Sequence, residues 1–179
     1  MIYMVRHGEA AAGWGHAKDP GLSSLGRQQA EAVGEQLSTM GFEHGFASPM
    51  TRCQETSQPF SLKSGIEIAT EPNVSEIPTV QGLDDRISWL QNFMSGTWDN
   101  AEPILQDWRN ALISTVEALP DHSVVFTHFV AINTIVGHLE GSQLVTSFRP
   151  GYCSMTMLVR GPSGLAVREL GSESATRVL

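Results

Sequence analysis

Arg6, His7, Gly8 and Glu9 follow a short apolar run, Ile2-Tyr3-Met4-Val5, which puts a cation and an imidazole where a strand is expected to end. In open α/β sheets, ligands bind beyond the carboxyl ends of the strands, and Gly8 lacks the side chain that would block an approaching anion. Phosphate chemistry is what this pair suggests. Three later segments supply groups to match. Ser48-Pro49-Met50-Thr51-Arg52 opens an amphipathic stretch with Pro49 near its start, so Arg52 is expected on the first helical turn. Val124-Val125-Phe126-Thr127-His128 reads as a buried parallel strand, which leaves His128 at the same sheet edge as His7. Asn73-Val74-Ser75-Glu76-Ile77 adds a carboxylate, with Glu67 and Glu71 close enough in sequence to take its place.

Taken in this order, the segments resemble the histidine phosphatase superfamily, the group that includes the cofactor-dependent phosphoglycerate mutases. The resemblance runs from Arg6-His7-Gly8 through Pro20-Gly21-Leu22-Ser23-Ser24-Leu25-Gly26-Arg27-Gln28-Gln29-Ala30 and Ser48-Pro49-Met50-Thr51-Arg52 to Glu76 and His128. It implies a covalent phosphohistidine on His7, a phosphate pocket of Arg6, Arg52 and His128, and a proton donor at Glu76. The implied enzyme is a phosphoric monoester hydrolase acting on a small phosphate ester or a phosphoprotein.

Residue chemistry supports the same roles. A transferring phosphoryl group carries negative charge on its equatorial oxygens throughout an in-line displacement, so fixed positive donors are needed. Arginine offers a planar fork matched to phosphate oxygens and stays charged at any working pH, which suits Arg6 and Arg52 to a clamp. His128 adds a third donor if protonated. A neutral His7 has a lone pair for attack, and neighbouring arginines disfavour its imidazolium. A carboxyl at position 76 would protonate the leaving alkoxide and then take a proton from water, which tilts the reading toward phosphate esters over phosphohistidine proteins.

Some positions depart from the family pattern. Mutases of this family usually carry a Ser and then a Trp-Asn pair after the first motif, where Ala10 and Gly13 supply neither polar group here. This, and a chain shorter than those mutases, favours a phosphatase. Phe129 stands after His128 in place of the common Gly, where it either narrows the pocket or gives it an apolar wall.

The remaining histidines, His16, His44, His122 and His138, lack the close spacing of a metal site, so neither metal nor cofactor is expected. His16 lies in the Ala10–Asp19 loop with Trp14 and Lys18, and either borders the pocket or belongs to a surface loop. A net charge of −8 argues against a nucleic-acid or anionic-membrane surface. With 11 Lys plus Arg in all, the cations must be gathered locally. Two distant cysteines, Cys53 and Cys153, suit a reduced, cytoplasmic setting, with Cys53 read as a small buried thiol. No signal peptide or membrane-spanning stretch is apparent.

These residues need a scaffold. Strands are expected at Ile2–Arg6, Glu43–Ala47, Glu67–Thr70, Ser123–Thr127, Ser154–Arg160 and Leu165–Leu170. Helices are expected at Ser24–Met40, Pro49–Leu62, Leu83–Met94, Ala101–Ala118 and Val130–Leu139. In the first helix Leu25, Ala30, Val33, Leu37 and Met40 recur at helical spacing, with Gly41 as C-cap. The alternation predicts one α/β domain over residues 1–179: a three-layer sandwich with a mostly parallel central sheet, helices on both faces and one antiparallel edge strand. Gly161-Pro162-Ser163-Gly164 reads as a hairpin between the last two strands, and residues 171–179 as a frayed tail. Residues 78–103, with Trp89, Phe93 and Trp98, are expected either to form a substrate lid or to pack that excursion onto the body.

Overall fold

The computed structural model describes residues 1–12, 19–80 and 86–174. Among the described residues six strands form one sheet: β1 (Ile2–Arg6), β2 (His44–Ala47), β3 (Ile68–Thr70), β4 (Ser123–Thr127), β5 (Met155–Gly161) and β6 (Gly164–Glu169), in the order β3-β2-β4-β1-β5-β6. The β3-β2-β4-β1 block is parallel, and β5 alone runs against the other strands, one place in from the edge that β6 forms. Pairing of Gly161 with Gly164 closes a two-residue hairpin over Pro162 and Ser163.

Alternation along the two central strands decides which helix covers which face. Ile2, Met4 and Val125 join a core with α4 (Pro103–Ala118) and α5 (Phe129–Leu139), whereas Val5, Val124 and Phe126 join one with α1 (Ser24–Ser38) and α2 (Thr51–Ser64). The chain therefore leaves β1 over one face and leaves β4 over the other. Adjacent strands whose connections diverge in this way open a crevice at their carboxyl ends. Register aligns Arg6 with Thr127, and the His7 amide donates to the Thr127 carbonyl at 3.0 Å, so His7 and His128 emerge side by side.

Several sequence expectations shift locally. Pro49 lies ahead of α2, which is capped at Met50, although Arg52 does fall on its first turn. α1 ends at Ser38 with Thr39 as cap, leaving Gly41, at φ 71°, in the following turn. Leu25 is 47% exposed and belongs to no core, because it faces outward at the start of α1. The first three residues of the helix expected from Leu83 lie outside the described residues, and α3 is described from Arg86 to Met94. The segment from 171 is not frayed where it is described: the Gly151 amide donates to the Ser172 carbonyl at 2.8 Å and the Arg149 amide to Glu173 at 2.6 Å.

The aromatics of the excursion pack inward. Trp98 is 2% exposed and meets Phe93 edge-on at 5.2 Å, while Trp89 stacks on Phe93 at 5.6 Å. Together with Ile77, Leu90, Leu105, Val130 and Val145 they form a third core beneath the excursion.

Candidate active site

At the carboxyl ends of β1 and β4, the first turn of α2 drives Arg52 between the two imidazoles. Its Nε donates to His7 Nε2 at 3.2 Å, and its Nη2 lies 3.1 Å from His128 Nδ1 and 3.4 Å from Glu76 Oε2. Glu76 Oε2 is also 3.4 Å from His128 Nδ1. Four of the proposed side chains thus meet around one small volume. Glu76 arrives from the loop after a single 3-10 turn, Pro72–Val74, with 11% of its side chain exposed. Of the alternatives, Glu71 caps that turn by accepting from the Asn73 amide, and Glu67 is exposed.

Arg6, 2% exposed, approaches from behind. Its Nη1 donates to the Pro150 carbonyl at 2.8 Å, and its guanidinium stands 4.1 Å from the Tyr152 ring and 5.2 Å from the Phe129 ring. Phe129 is buried against this cation and belongs to the third core. Tyr152 also flanks His7, with ring centroids 6.1 Å apart.

Gly8 has a different task from the one the sequence suggests. A Cβ there would stand 2.7 Å from the Gly26 carbonyl oxygen, and one on Gly26 would stand 2.0 Å from the Glu9 carbonyl oxygen. Both glycines let the loop beyond His7 lie directly on the first turn of α1. The Gly8 amide donates to Thr56 Oγ1 at 3.0 Å, and its carbonyl accepts from His7 Nδ1 at 2.7 Å. With Nδ1 donating there, Nε2 keeps its lone pair toward the crevice.

Burial, reinforced by the charges of Arg52 and Arg6, holds the His7 imidazole well below its ordinary pKa, and the ring is neutral. The same causes, with His7 adding to them, hold the His128 imidazole well below its ordinary pKa. Glu76 moves the other way: burial raises its carboxyl, only partly opposed by Arg52. Cys53 is buried, its Sγ is 3.4 Å from His128 Nε2, and burial pushes the thiol up, so it stays protonated.

His7, Glu76 and His128 could bring three ligand atoms within 4.8 Å of one another. The Arg52 guanidinium already occupies the space among them, and a fixed cation suits that space to an oxyanion. The N-termini of α2 and α5, both at this sheet edge, add partial positive charge of the same sense. His44, His122 and His138 are remote from it: His122 pairs with Glu43 and His138 with Glu117 at the surface. The proposed contribution of Trp14, His16 and Lys18 lies outside the described residues.

Sequence reasoning missed five supports of this site. Asp19 accepts from the Thr51 amide at 3.0 Å and lies 3.9 Å from Arg52 Nη1. Ser48 contacts His128, Thr56 holds Gly8, and Pro150 and Tyr152 hold Arg6. Thr56 was detectable, since it is four residues after Arg52 and shares its helix face. Pro150 and Tyr152 reach Arg6 only through the pairing of β5 with β1, which no local pattern reveals.

The model of the histidine phosphatase superfamily (branch 1) matches residues 2–173. The chain belongs to that superfamily. It is 26% identical over 163 residues to the probable phosphoglycerate mutase GpmB of Enterobacter sp. (strain 638), covering 79% of this chain and 75% of the relative, and to that of Citrobacter koseri to the same degree. Among solved structures it is similar in fold to a phosphoserine phosphatase from Entamoeba histolytica in complex with 3-phosphoglyceric acid, at TM-score 0.77, 20% identity and 96% of each chain. It is likewise similar to a mycobacterial glucosyl-3-phosphoglycerate phosphatase, at TM-score 0.72 and 22% identity over 97% of this chain and 98% of the other. Members of this superfamily with such names act on phosphate esters, as phosphatases or mutases. No helix among the described residues is long and apolar enough to cross a membrane.

Proposed function

We propose that this protein is a phosphatase that hydrolyses phosphate monoesters through a phosphohistidine on His7. The observation that carries the reading is the lone pair of His7 Nε2, fixed by the Nδ1 contact to Gly8, facing the same volume as Arg52, His128 and Glu76. An ester phosphate in that volume has its charge met by Arg52 and Arg6. His7 Nε2 forms a bond to phosphorus as the P–O bond to the alcohol breaks, and the Glu76 carboxyl gives its proton to the departing alkoxide. The Glu76 carboxylate then takes a proton from water. That water attacks the phosphohistidine, the P–N bond breaks, phosphate leaves and His7 returns to its neutral form.

The high-set Glu76 carboxyl favours ester substrates, because an alkoxide needs a proton to leave. Ala10 supports a hydrolase over a mutase, since it places a methyl group and an isolated bridge to Leu22 where mutases resembling this family use a polar side chain. Residues 78–103 are the proposed source of substrate choice.

A panel of labelled phosphate esters and a phosphohistidine protein, followed by rapid quench, tests the reading. The expected result is ester turnover with an acid-labile, base-stable phosphoenzyme that His7→Ala abolishes while the fold is kept. Turnover near wild type in His7→Ala would remove His7 from the reaction, and transfer to phosphoglycerate in place of water would make the enzyme a mutase.

A further inference from the structure

Thr127, the last residue of β4, touches more than one part of the site. It immediately precedes His128, and its carbonyl accepts from the His7 amide at 3.0 Å and from Cys53 Sγ at 3.6 Å. Its side chain has a separate partner. The pleat puts Thr127 on the same face as Val125, which joins the apolar core with α4 and α5. A valine would suit that face, whereas the threonine hydroxyl, at 0% exposure, is a buried polar group that must be hydrogen-bonded. Thr127 Oγ1 donates to the Val74 carbonyl at 2.6 Å.

Val74 ends the 3-10 turn, and Glu76 follows two residues later. The Val74 side chain is fully buried in the same core as Val125. Beyond Glu76, the Ile77 amide donates to Glu76 Oε1 at 3.2 Å, and the Ile77 side chain is buried in the third core. The acid therefore sits between two anchored residues, with Oε2 presented to the site, 3.4 Å from both Arg52 Nη2 and His128 Nδ1. The strand ahead of the turn, β3, is three residues long and pairs with β2, so sheet pairing does not fix the turn against β4, which leads into His128. The Thr127 hydroxyl does.

We infer that Thr127 is a positioning residue for the general acid: by holding the Val74 carbonyl against the end of β4, its hydroxyl sets the reach of Glu76 Oε2 into the crevice. One residue then places the nucleophile through its carbonyl and the acid through its side chain, so both are measured from the same strand end. A displacement of about 1 Å at a reacting group can cost about a hundredfold in rate, which gives this single buried bond its leverage. The inference rests on the phosphatase reading, in which Glu76 protonates the departing alkoxide.

Leaving groups provide the test. An alkyl ester needs the acid and a nitrophenyl ester does not, so a misplaced Glu76 slows the first selectively, whereas a general loosening of the site slows both. Rapid-quench phosphorylation rates are measured on an alkyl phosphate and on nitrophenyl phosphate for wild type, Thr127→Val, Thr127→Ser and Glu76→Gln. Thr127→Val is expected to lower the alkyl rate by about ten- to hundredfold and the nitrophenyl rate by about threefold or less. Thr127→Ser, which keeps the hydroxyl, is expected to restore the wild-type ratio of the two rates. Thr127→Ala, which removes the hydroxyl without adding a methyl group in its place, stands in if Thr127→Val does not fold. Equal slowing of both esters, an unchanged ratio in the variant lacking the hydroxyl, or a Thr127→Ser ratio as altered as that of Thr127→Val would overturn the inference while leaving the phosphatase reading intact. A wild-type ratio in Glu76→Gln would instead overturn Glu76 as the acid, and the role of Thr127 with it.

Discussion

Proton inventory governs what the site residues can do. In the proposed reaction His7 must be neutral to attack, and its depressed pKa is expected to move the acidic limb of kcat/KM below the ordinary histidine range. The same proposal needs Glu76 protonated, and its raised pKa is expected to move the alkaline limb above the ordinary carboxylate value. The expected profile is a bell. Glu76→Gln should lower the rate of enzyme phosphorylation by about a hundred- to ten-thousandfold for alkyl esters and remove the alkaline limb, with much less loss for a nitrophenyl ester whose leaving group needs no proton. Rapid-quench rates across pH on both substrates check this. The histidines were legible because Arg, His and Gly were adjacent and followed an apolar strand, and Glu76 because it stood beyond another strand. The direction of each ring was not legible, since it depends on Gly8, Thr56 and Ser48 contacts formed between elements.

At the scale of elements, the alternating β and α pattern sufficed for the sheet and its two helical layers because apolar runs and helical spacing are local properties. Boundaries were less readable: α2 begins two residues after Pro49, and Leu25 has helical spacing yet faces water. The close seat of the His7 loop on α1 was invisible in the sequence, and it yields two predictions. Gly26→Ala sets a Cβ 2.0 Å from the Glu9 carbonyl oxygen, so the backbone must part, and a loss of about 1–3 kcal/mol in thermal or denaturant unfolding is expected along with reduced kcat. Thr56→Val keeps the shape but leaves the buried Gly8 amide without its acceptor. About 1–3 kcal/mol of stability should be lost, and kcat should fall more than KM rises, because the carbonyl that orients His7 belongs to the same residue.

For the whole molecule, the two buried histidines link stability to pH. Their folded pKa values lie below the unfolded value of 6.5, so between those limits the unfolded chain binds more protons. Stability should fall as pH drops through and below about 6.5, with a slope approaching about 1.4 kcal/mol per pH unit for each histidine. Glu76 contributes with the opposite sign: above its unfolded value of 4.5 the native state retains a proton that the unfolded chain has released, so its contribution declines as pH rises toward the folded value. Urea titrations from pH 4 to 8 on wild type and His128→Ala check the sum, and the variant should show the shallower dependence near pH 6.

The bond from Arg6 to the Pro150 carbonyl spans 144 residues, and β1 lies between β4 and β5. The strand leading into His7 therefore gains its parallel neighbour and its guanidinium anchor only from segments far along the chain. Because contacts of such long sequence separation close slowly, the pairing of β1 and the seating of Arg6 are expected late in folding.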